Sequence, residues 1–269
     1  MTRGRFKKSY LLIELFLLMV ALVWILPMIS AVQTSLSGKG WENYRAVLRF
    51  KLNGIYFLPK MFANSVIVSG ITIALVMAVT ILAGYAFSKL EFKGRNVLYV
   101  AILGCFAIPA ISTFLPNTML IKYMGIRNTY LAMILPMTTI NIPISLLIFK
   151  NYFDGISDSF LEAATIDGSS RFNTLIKVIL PMSTPVVVNI LIVLFLYTWN
   201  DFTIPLMFTS KQNLFTLTLA PGFFALAQDR VEMGPLYASI ILIAVPIIIF
   251  YMALQDKIIK GLTLGGVKG

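Results

Sequence analysis

The 269-residue sequence contains no histidine and only one cysteine, Cys105, and each absence excludes a kind of chemistry. Without histidine there can be no Ser-His or Cys-His nucleophile pair. With a single cysteine, no disulfide can form within the chain, and Cys/His zinc sites are excluded as well. The sequence therefore argues against an enzyme built on these groups, and it predicts that the chain itself binds no metal or other cofactor.

Charged residues are also scarce, at 12% of the chain, whereas 58% of the residues are hydrophobic and the mean hydropathy is +0.87. A soluble domain of this length needs more charge to cover its surface. Lipid suits such a chain better, because spanning helices leave apolar side chains facing acyl tails. The net charge is +11, and the Lys and Arg residues that carry it lie between long apolar runs rather than along one amphipathic face. This distribution favours a membrane protein over a nucleic-acid binder.

Six apolar segments are each long enough to cross a hydrocarbon core about 30 Å thick, since a helix rises about 1.5 Å per residue. Their predicted bounds are 10–32, 64–87, 97–115, 130–149, 185–208 and 236–254. The sequence thus predicts an all-α polytopic membrane protein in which residues 1–269 form one transmembrane domain.

The N-terminus carries Arg3, Arg5, Lys7 and Lys8 directly before the first apolar segment. The positive-inside rule therefore places the N-terminus in the cytoplasm, and six crossings return the C-terminus to the same side. On this topology, the segment 151–184 between the fourth and fifth crossings is cytoplasmic.

Segment 151–184 is too polar to span a membrane, and it contains a first helical pattern with two end signals. Ser159 followed by Glu162 predicts a capping box, in which a hydroxyl and a carboxylate satisfy the free amides of a helix start. Gly168 predicts a left-handed residue that ends this helix.

A second helical pattern follows in the same segment, and Ser169 or Ser170 can cap it. Its apolar residues fall at helical spacing before Pro181, which is expected to end it: Phe172, Leu175, Ile176, Ile179 and Leu180. The residues alone leave two interpretations open. The pair of helices either docks into a groove of another protein or lies on the bilayer surface as an amphipathic hairpin.

The same segment resembles the EAA loop of binding-protein-dependent ABC transporter permeases. The matching residues are Glu162, Ala163, Ala164, Gly168, Ile179, Leu180 and Pro181. Two further segments, YTWNDFTIPL at 197–206 and the terminal GLTLGGVKG at 261–269, are similar to carbohydrate-importing permeases of the maltose permease G type.

The resemblance implies a type I ABC importer fold and a transport subunit driven by other proteins. In that family the EAA helix fits a groove of a cytoplasmic ATPase subunit, so Glu162, Ala163, Ala164, Asp167, Gly168, Leu180 and Pro181 are the predicted coupling residues. The implied partners are a second, different permease subunit, two ATPase subunits that bind ATP and Mg, an extracytoplasmic sugar-binding protein and the lipid bilayer of a bacterial or archaeal plasma membrane. The chain has no G-x-x-x-x-G-K-[ST] phosphate loop, which agrees with an external source of energy.

The C-terminal tail has two interpretations. In relatives of the maltose type the tail reaches between the two ATPases, which assigns that role to Gly261, Leu262, Thr263, Gly265 and Lys268. The alternative is an ordinary frayed terminus.

Trp199, Asn200 and Asp201 form the candidate translocation path. Asp201 lies within a predicted span, where ionisable groups usually face a polar cavity or a partner. Carboxylates, amides and aromatic faces suit a hydroxyl-rich ligand such as a sugar. The alternative is that Asp201 caps packing near the outer interface and that Trp199 is an interfacial anchor.

Two rival functions remain. One is a secondary transporter or channel that works alone, although it would not need the EAA loop. The other is an ABC permease for a solute other than a sugar. The leading interpretation is the permease subunit of a carbohydrate importer.

Overall fold

The computed structural model of the protein describes residues 3–226 and 232–265, and helices dominate them. In the first part of the chain these are α1 (Arg3–Ser35), α2 (Glu42–Arg49), α3 (Phe57–Lys89), α4 (Arg95–Gly104), α5 (Phe114–Tyr123), α6 (Leu131–Asp154) and α7 (Ser159–Ile166). They continue as α8 (Arg171–Thr174), α9 (Leu180–Met182), α10 (Thr184–Asn200), α11 (Thr203–Phe208), α12 (Ala220–Leu226) and α13 (Met233–Gly265). The described residues also contain two short antiparallel strands, β1 (Lys51–Leu52) and β2 (Ile55–Tyr56), and several short 3-10 and π segments.

Four continuous helices are long and apolar enough to cross a membrane: Ile13–Ser35 within α1, α3, α6, and Met233–Ala253 within α13. Two bent pairs bring the number to six if each pair counts as one span. The all-α polytopic prediction is therefore confirmed. Two of the helices are longer than predicted, since α3 begins at Phe57 and α6 continues to Asp154.

The third predicted span, 97–115, is wrong as a continuous helix. After α4 the chain makes two 3-10 turns, Cys105–Ala107 and Ala110–Thr113, and the helical segments on either side are bent by 97°. The cause is Pro109, because a residue before proline is driven out of the helical region. Ile108 accordingly has φ −88° and ψ 114°.

The fifth predicted span, 185–208, also has the wrong bounds. Helix α10 ends at Asn200, Asp201 has φ −65° and ψ 120°, and the separate helix α11 begins at Thr203. At its other end α10 is bent by 81° from the segment Arg171–Met182. The apolar run therefore contains one straight helix of 17 residues and a break that hydropathy does not reveal.

The described residues group into two compact units. The first comprises residues 3–58 and the described part of Ala220–Val245. Within it the β1–β2 hairpin turns at Asn53 and Gly54, which both have positive φ, as a two-residue hairpin turn requires. Edge-to-face and tilted ring contacts join four aromatic residues there: Phe50, Phe57, Phe223 and Phe224.

The second unit comprises Pro59–Leu219 and the described residues from Pro246 onward, and parallel packing of α3 against α6 runs through it. Near one end, Val68 belongs to an apolar cluster with Met133 and Met137. Near the other end, Val76 belongs to a cluster with Phe149 and Phe153. The prediction that residues 1–269 form one domain stays a prediction.

Candidate functional site

Helix α7 carries the glutamate and the two alanines of the EAA pattern, and its start differs from the predicted capping box. The N-cap residue is Asp158, one position earlier than expected, and no side chain caps the helix there. Ser159 is already helical, and its Oγ lies 2.8 Å from Oγ of Ser157. The capping-box prediction is therefore wrong, and the Glu162 side chain is exposed.

The end of α7 matches the prediction. Gly168 has φ +76°. The Ser169 amide donates to the Ala164 carbonyl at 2.9 Å, and the Gly168 amide donates to the Thr165 carbonyl at 3.0 Å. These two bonds form a Schellman motif, which requires a left-handed residue at the position of Gly168. Glycine adopts that conformation without the steric penalty of a Cβ.

The second helical pattern begins where predicted and ends later. The Oγ of Ser170 accepts a hydrogen bond from the Asn173 amide at 3.3 Å, so Ser170 is the cap. A π turn, Leu175–Ile179, leads into α9, in which Pro181 occupies the first turn. Proline is tolerated in the first turn of a helix because the backbone N–H groups of that turn have no partner within the helix. The chain therefore stays helical to Met182 instead of stopping before Pro181.

The predicted apolar stripe of this second pattern is divided between the core and the surface. Leu175 and Ile179 are buried in the cluster around Phe149, which ties the segment to α3 and α6. Phe172 and Ile176 are exposed instead.

Four polar side chains that sequence analysis missed fix the start of this loop. Lys89 Nζ, at the end of α3, donates to the Ile156 carbonyl at 2.6 Å and pairs with Asp158 Oδ1 at 2.7 Å. The Lys89 side chain is only 5% exposed, whereas that of Asp158 is 76% exposed. Ser88 Oγ donates to Asp154 Oδ1 at 2.7 Å. From the sequence, Lys89 indicates only on which side of the membrane this end of the span lies, because its hydrogen-bond partners are 67 and 69 residues away.

The predicted coupling residues separate into an exposed face and an anchoring face. Glu162, Ala163, Asp167 and Gly168 are exposed, whereas Ala164 is buried. Leu161, beside Glu162 in the sequence, packs against the Phe149 cluster and anchors the inner side of α7. Leu180 is half-buried and Pro181 exposed, both in the neighbouring helix α9. The first four residues therefore form a short exposed surface that another molecule can contact.

Apolar side chains extend this surface. Ile166 is 86% exposed, and Phe160, Phe172 and Ile176 are exposed as well. Beside α7 lies an open cleft of about 1030 Å³, lined by polar residues that include Glu91, Arg95, Glu162 and Arg171. An exposed apolar group with a polar rim is typical of a protein-binding surface.

The candidate translocation residues have separate structural roles. Trp199 is 3% exposed and packs edge to face against Phe62 and face to face against Phe195. Asn200 is exposed, and its Nδ2 donates to the Leu196 carbonyl at 2.8 Å.

Asp201 lies just before the next helix, α11. Its Oδ1 accepts a hydrogen bond from the Ile204 amide at 2.8 Å, so the carboxylate caps α11. Its carbonyl accepts from Thr218 Oγ1 at 2.8 Å. The geometry supports the capping interpretation of Asp201, and it places Asn200 alone of the three on the exposed surface.

The tail is an extension of α13, which continues to Gly265. The backbone of Gly261, Leu262, Thr263 and Gly265 is therefore helical. Lys268 lies outside the described residues.

Helices long enough to span a bilayer, two of the spans broken, and an exposed helix–glycine–helix loop define a polytopic membrane transport subunit. The chain belongs to the family of binding-protein-dependent transport system inner membrane components, whose model matches residues 70–263.

Individual relatives agree with this assignment. The chain is 33% identical over 216 residues to the arabinooligosaccharides transport system permease protein of Halalkalibacterium halodurans, covering 80% of this chain and 76% of the relative. It is 29% identical over 251 residues to the trehalose/maltose transport system permease protein of Thermococcus litoralis, covering 92% of this chain and 90% of the relative. The fold is similar to that of a chain in a bacterial ABC transporter involved in alginate import, with a TM-score of 0.81 and 20% sequence identity. The match covers 95% of this chain and 98% of that chain.

Replacing Asp201 separates the capping role from a role in sugar binding. Asp201→Ala is expected to destabilise the protein by about 1 kcal/mol through loss of the helix cap. Asp201→Asn keeps an acceptor oxygen and should restore both the thermal midpoint and solute uptake. If Asp201→Asn is as stable as wild type but loses uptake, the carboxylate acts on the solute and not on α11.

Proposed function

We propose that this chain is the permease subunit of an ABC importer and forms the translocation pathway for a carbohydrate, driven by ATP hydrolysis in two partner ATPase subunits. The observation that carries the proposal is the exposed α7 surface, in which Glu162, Ala163, Asp167 and Gly168 lie together while Leu161 and Ala164 anchor the helix.

The chemistry of α7 favours a protein partner over the bilayer surface. Helices that lie on membranes are rich in Lys and Arg on their polar face, which meets anionic lipid. Between Ser157 and Ser170 the chain has three acids, Asp158, Glu162 and Asp167, and no basic residue. Such a helix has no basic residue to attract an anionic leaflet, whereas a protein groove with an apolar floor and basic groups at its rim would accept it.

Docking of α7 on a cytoplasmic ATPase fixes the orientation of the chain. The loop between α6 and α10 then lies in the cytoplasm, and so do both termini. Glu162, in the first turn of α7, is placed where the helix dipole favours a negative charge and where it can meet a basic group of the ATPase.

Carbohydrate is the proposed cargo because the relatives named above are transport proteins for arabinooligosaccharides and for trehalose or maltose. A sugar-binding protein would deliver the solute on the outer side, and a second, different permease subunit would complete the pathway. ATP and Mg would bind to the ATPases, so this chain needs no cofactor of its own and catalyses no hydrolysis.

Residues Trp199, Asn200 and Asp201 stay a proposed part of the pathway, with exposed Asn200 the best placed to meet solute. The tail, with Gly261, Leu262, Thr263, Gly265 and Lys268, is proposed to contact the ATPases. Deleting residues 262–269 should lower ATPase stimulation or assembly of the complex. Normal uptake by the deletion variant would remove the tail from the proposal.

Purification and reconstitution test the proposed function. The tagged chain is purified from its host membranes, and the partners that accompany it are identified. A thermal-shift screen of the co-purified binding protein with maltose, trehalose, arabino-oligosaccharides and alginate oligosaccharides then selects the sugar. We expect the selected sugar, presented on the binding protein, to stimulate ATP hydrolysis and ATP-dependent uptake in vesicles.

The rival functions give different results in the same assay. Gradient-driven flux from the chain alone, with no ATPase attached, supports a secondary transporter or channel. ATP hydrolysis that no sugar-loaded binding protein stimulates, but that another class of solute does, supports a non-sugar ABC permease.

A further inference from the structure

Near the start of α3, Asn64 holds the chain segment that follows α11. The Asn64 side chain is completely buried, and its Nδ2 donates to two carbonyls, those of Asn213 and Phe215, each at 2.9 Å. Its Oδ1 accepts from the Tyr130 hydroxyl at 2.7 Å. Next to it, Ser65 Oγ accepts from the Leu217 amide at 2.8 Å. We refer to these bonds as the Asn64 contacts.

At the other end of the same helix, Lys89 and Ser88 hold the start of the α6–α10 loop. Lys89 Nζ bonds the Ile156 carbonyl and the Asp158 carboxylate, and Ser88 Oγ bonds the Asp154 carboxylate. We refer to these bonds as the Lys89 contacts. Helix α3 therefore bonds directly to two segments of the chain that emerge at opposite ends of the second unit.

Helix α3 is well suited to transmit movement between these two segments. Its 33 residues extend about 50 Å at about 1.5 Å per residue, enough to cross the whole bilayer with its headgroups. The other continuous spans contain internal prolines, at which helices bend: Pro27 in α1, Pro136 and Pro143 in α6, and Pro246 in α13. Between Asn64 and Lys89 the sequence of α3 has no proline.

We infer that α3 is a rigid link in which Asn64 and Lys89 are positioning residues, joining the segment 213–217 on the outer side to the ATPase-docking loop on the inner side. This inference rests on the proposed function, which makes 213–217 extracytoplasmic and α7 the ATPase contact. Contact of the binding protein with the outer segment would move α3 along with it. The Lys89 contacts would then carry that movement to the start of α7.

The test uses the reconstituted complex of both permeases and both ATPases, stimulated by the binding protein loaded with the sugar from the thermal-shift screen. Lys89→Met removes the Lys89 bonds but keeps the side-chain length, and Asn64→Ala removes the Asn64 bonds. We expect each variant to keep basal ATP hydrolysis and to lose stimulation by about fivefold or more. Because both act through one helix, the double variant should lose no more than the worse single variant.

Matched controls separate positioning from general damage. Lys150→Met removes an ion pair of the same kind at the same end, but Lys150 pairs with Asp154 Oδ2 within α6, and the Ser88 bond to Asp154 Oδ1 stays in place. Asn117→Ala removes an amide whose side-chain partner among the described residues is Thr113, one turn away. Both controls should keep stimulation within about twofold of wild type, and Lys89→Arg should restore it, because a guanidinium can donate to both partners of Lys89.

Three results would overturn the link. Stimulation of Lys89→Met equal to that of Lys150→Met is the first, and losses that multiply in the double variant are the second. If Asn64→Ala fails to assemble, Ser65→Ala, which removes a single hydroxyl, replaces it in the double-variant comparison. The third result is full stimulation both of Ser65→Ala and of Lys89→Met. A wild-type complex that no sugar stimulates counts against the proposed function instead.

Discussion

Gly168→Asp is expected to leave the chain inserted and assembled while abolishing stimulation of ATP hydrolysis by the loaded binding protein. Gly168 has φ +76°, and a Cβ built there meets no atom within 4 Å. Within the chain, the substitution therefore costs only the left-handed conformation, about 1–2 kcal/mol, and aspartate is among the residues that best tolerate it. Outside the chain, the new carboxylate would enter the groove that receives α7, where it has neither room nor water.

Gly125→Asp is the matched control for this prediction. Gly125 also has positive φ, +68°, and open space around its Cβ position, but it follows α5 and not α7. Gly168→Asn adds a neutral side chain of the same shape, so its behaviour separates size from charge. Equal membrane levels with lost stimulation for Gly168→Asp alone would support docking. Full stimulation of Gly168→Asp would remove Gly168 from the coupling surface.

The end of α7 was predictable because its signal is local. A left-handed residue after a helix favours glycine, and the Schellman bonds join residues no more than five positions apart. The start of α7 was predicted one residue late for the converse reason. Ser157, Asp158 and Ser159 are all acceptable caps, and the choice among them depends on Lys89, which bonds Asp158 from another helix.

Hydropathy predicted where the chain crosses the membrane but not where its helices break. An apolar run indicates that a segment is surrounded by lipid. Lipid tolerates both a straight helix and a bent helix whose free backbone groups find hydrogen-bond partners. The break at Asp201 depends on a carboxylate that accepts the Ile204 amide and on a carbonyl that accepts Thr218. The sequence shows an acid at that position but not which of its two interpretations is correct.

The contacts at both ends of α3 could not have been predicted from sequence. Asn64 bonds Phe215 across 151 residues, and Lys89 bonds Asp158 across 69. Neither residue belongs to a motif, and each could be an ordinary polar residue near the end of a span. Their roles follow only from the parallel packing of α3 on α6, which brings the ends of both helices, and the segments that follow them, close together.

That packing depends on Gly84, and Gly84→Ala should destabilise the protein by about 1–3 kcal/mol, as overpacking of a tight interface does. A Cβ at Gly84 would lie 2.9 Å from Phe149 Cβ and 3.3 Å from the Lys150 amide nitrogen. Both atoms are at or next to the backbone of α6, so the helices themselves must separate.

Gly70→Ala provides the control on the same helix. A Cβ at Gly70 meets no atom within 4 Å, so the change should be neutral or stabilise the helix by up to about 1 kcal/mol. The measurement is the thermal midpoint of the purified complex in detergent, which should fall for Gly84→Ala and not for Gly70→Ala. Equal midpoints would contradict the close approach of α3 and α6. A lowered midpoint together with weaker ATPase stimulation is expected if α3 must pack tightly on α6 to hold the docking loop in place.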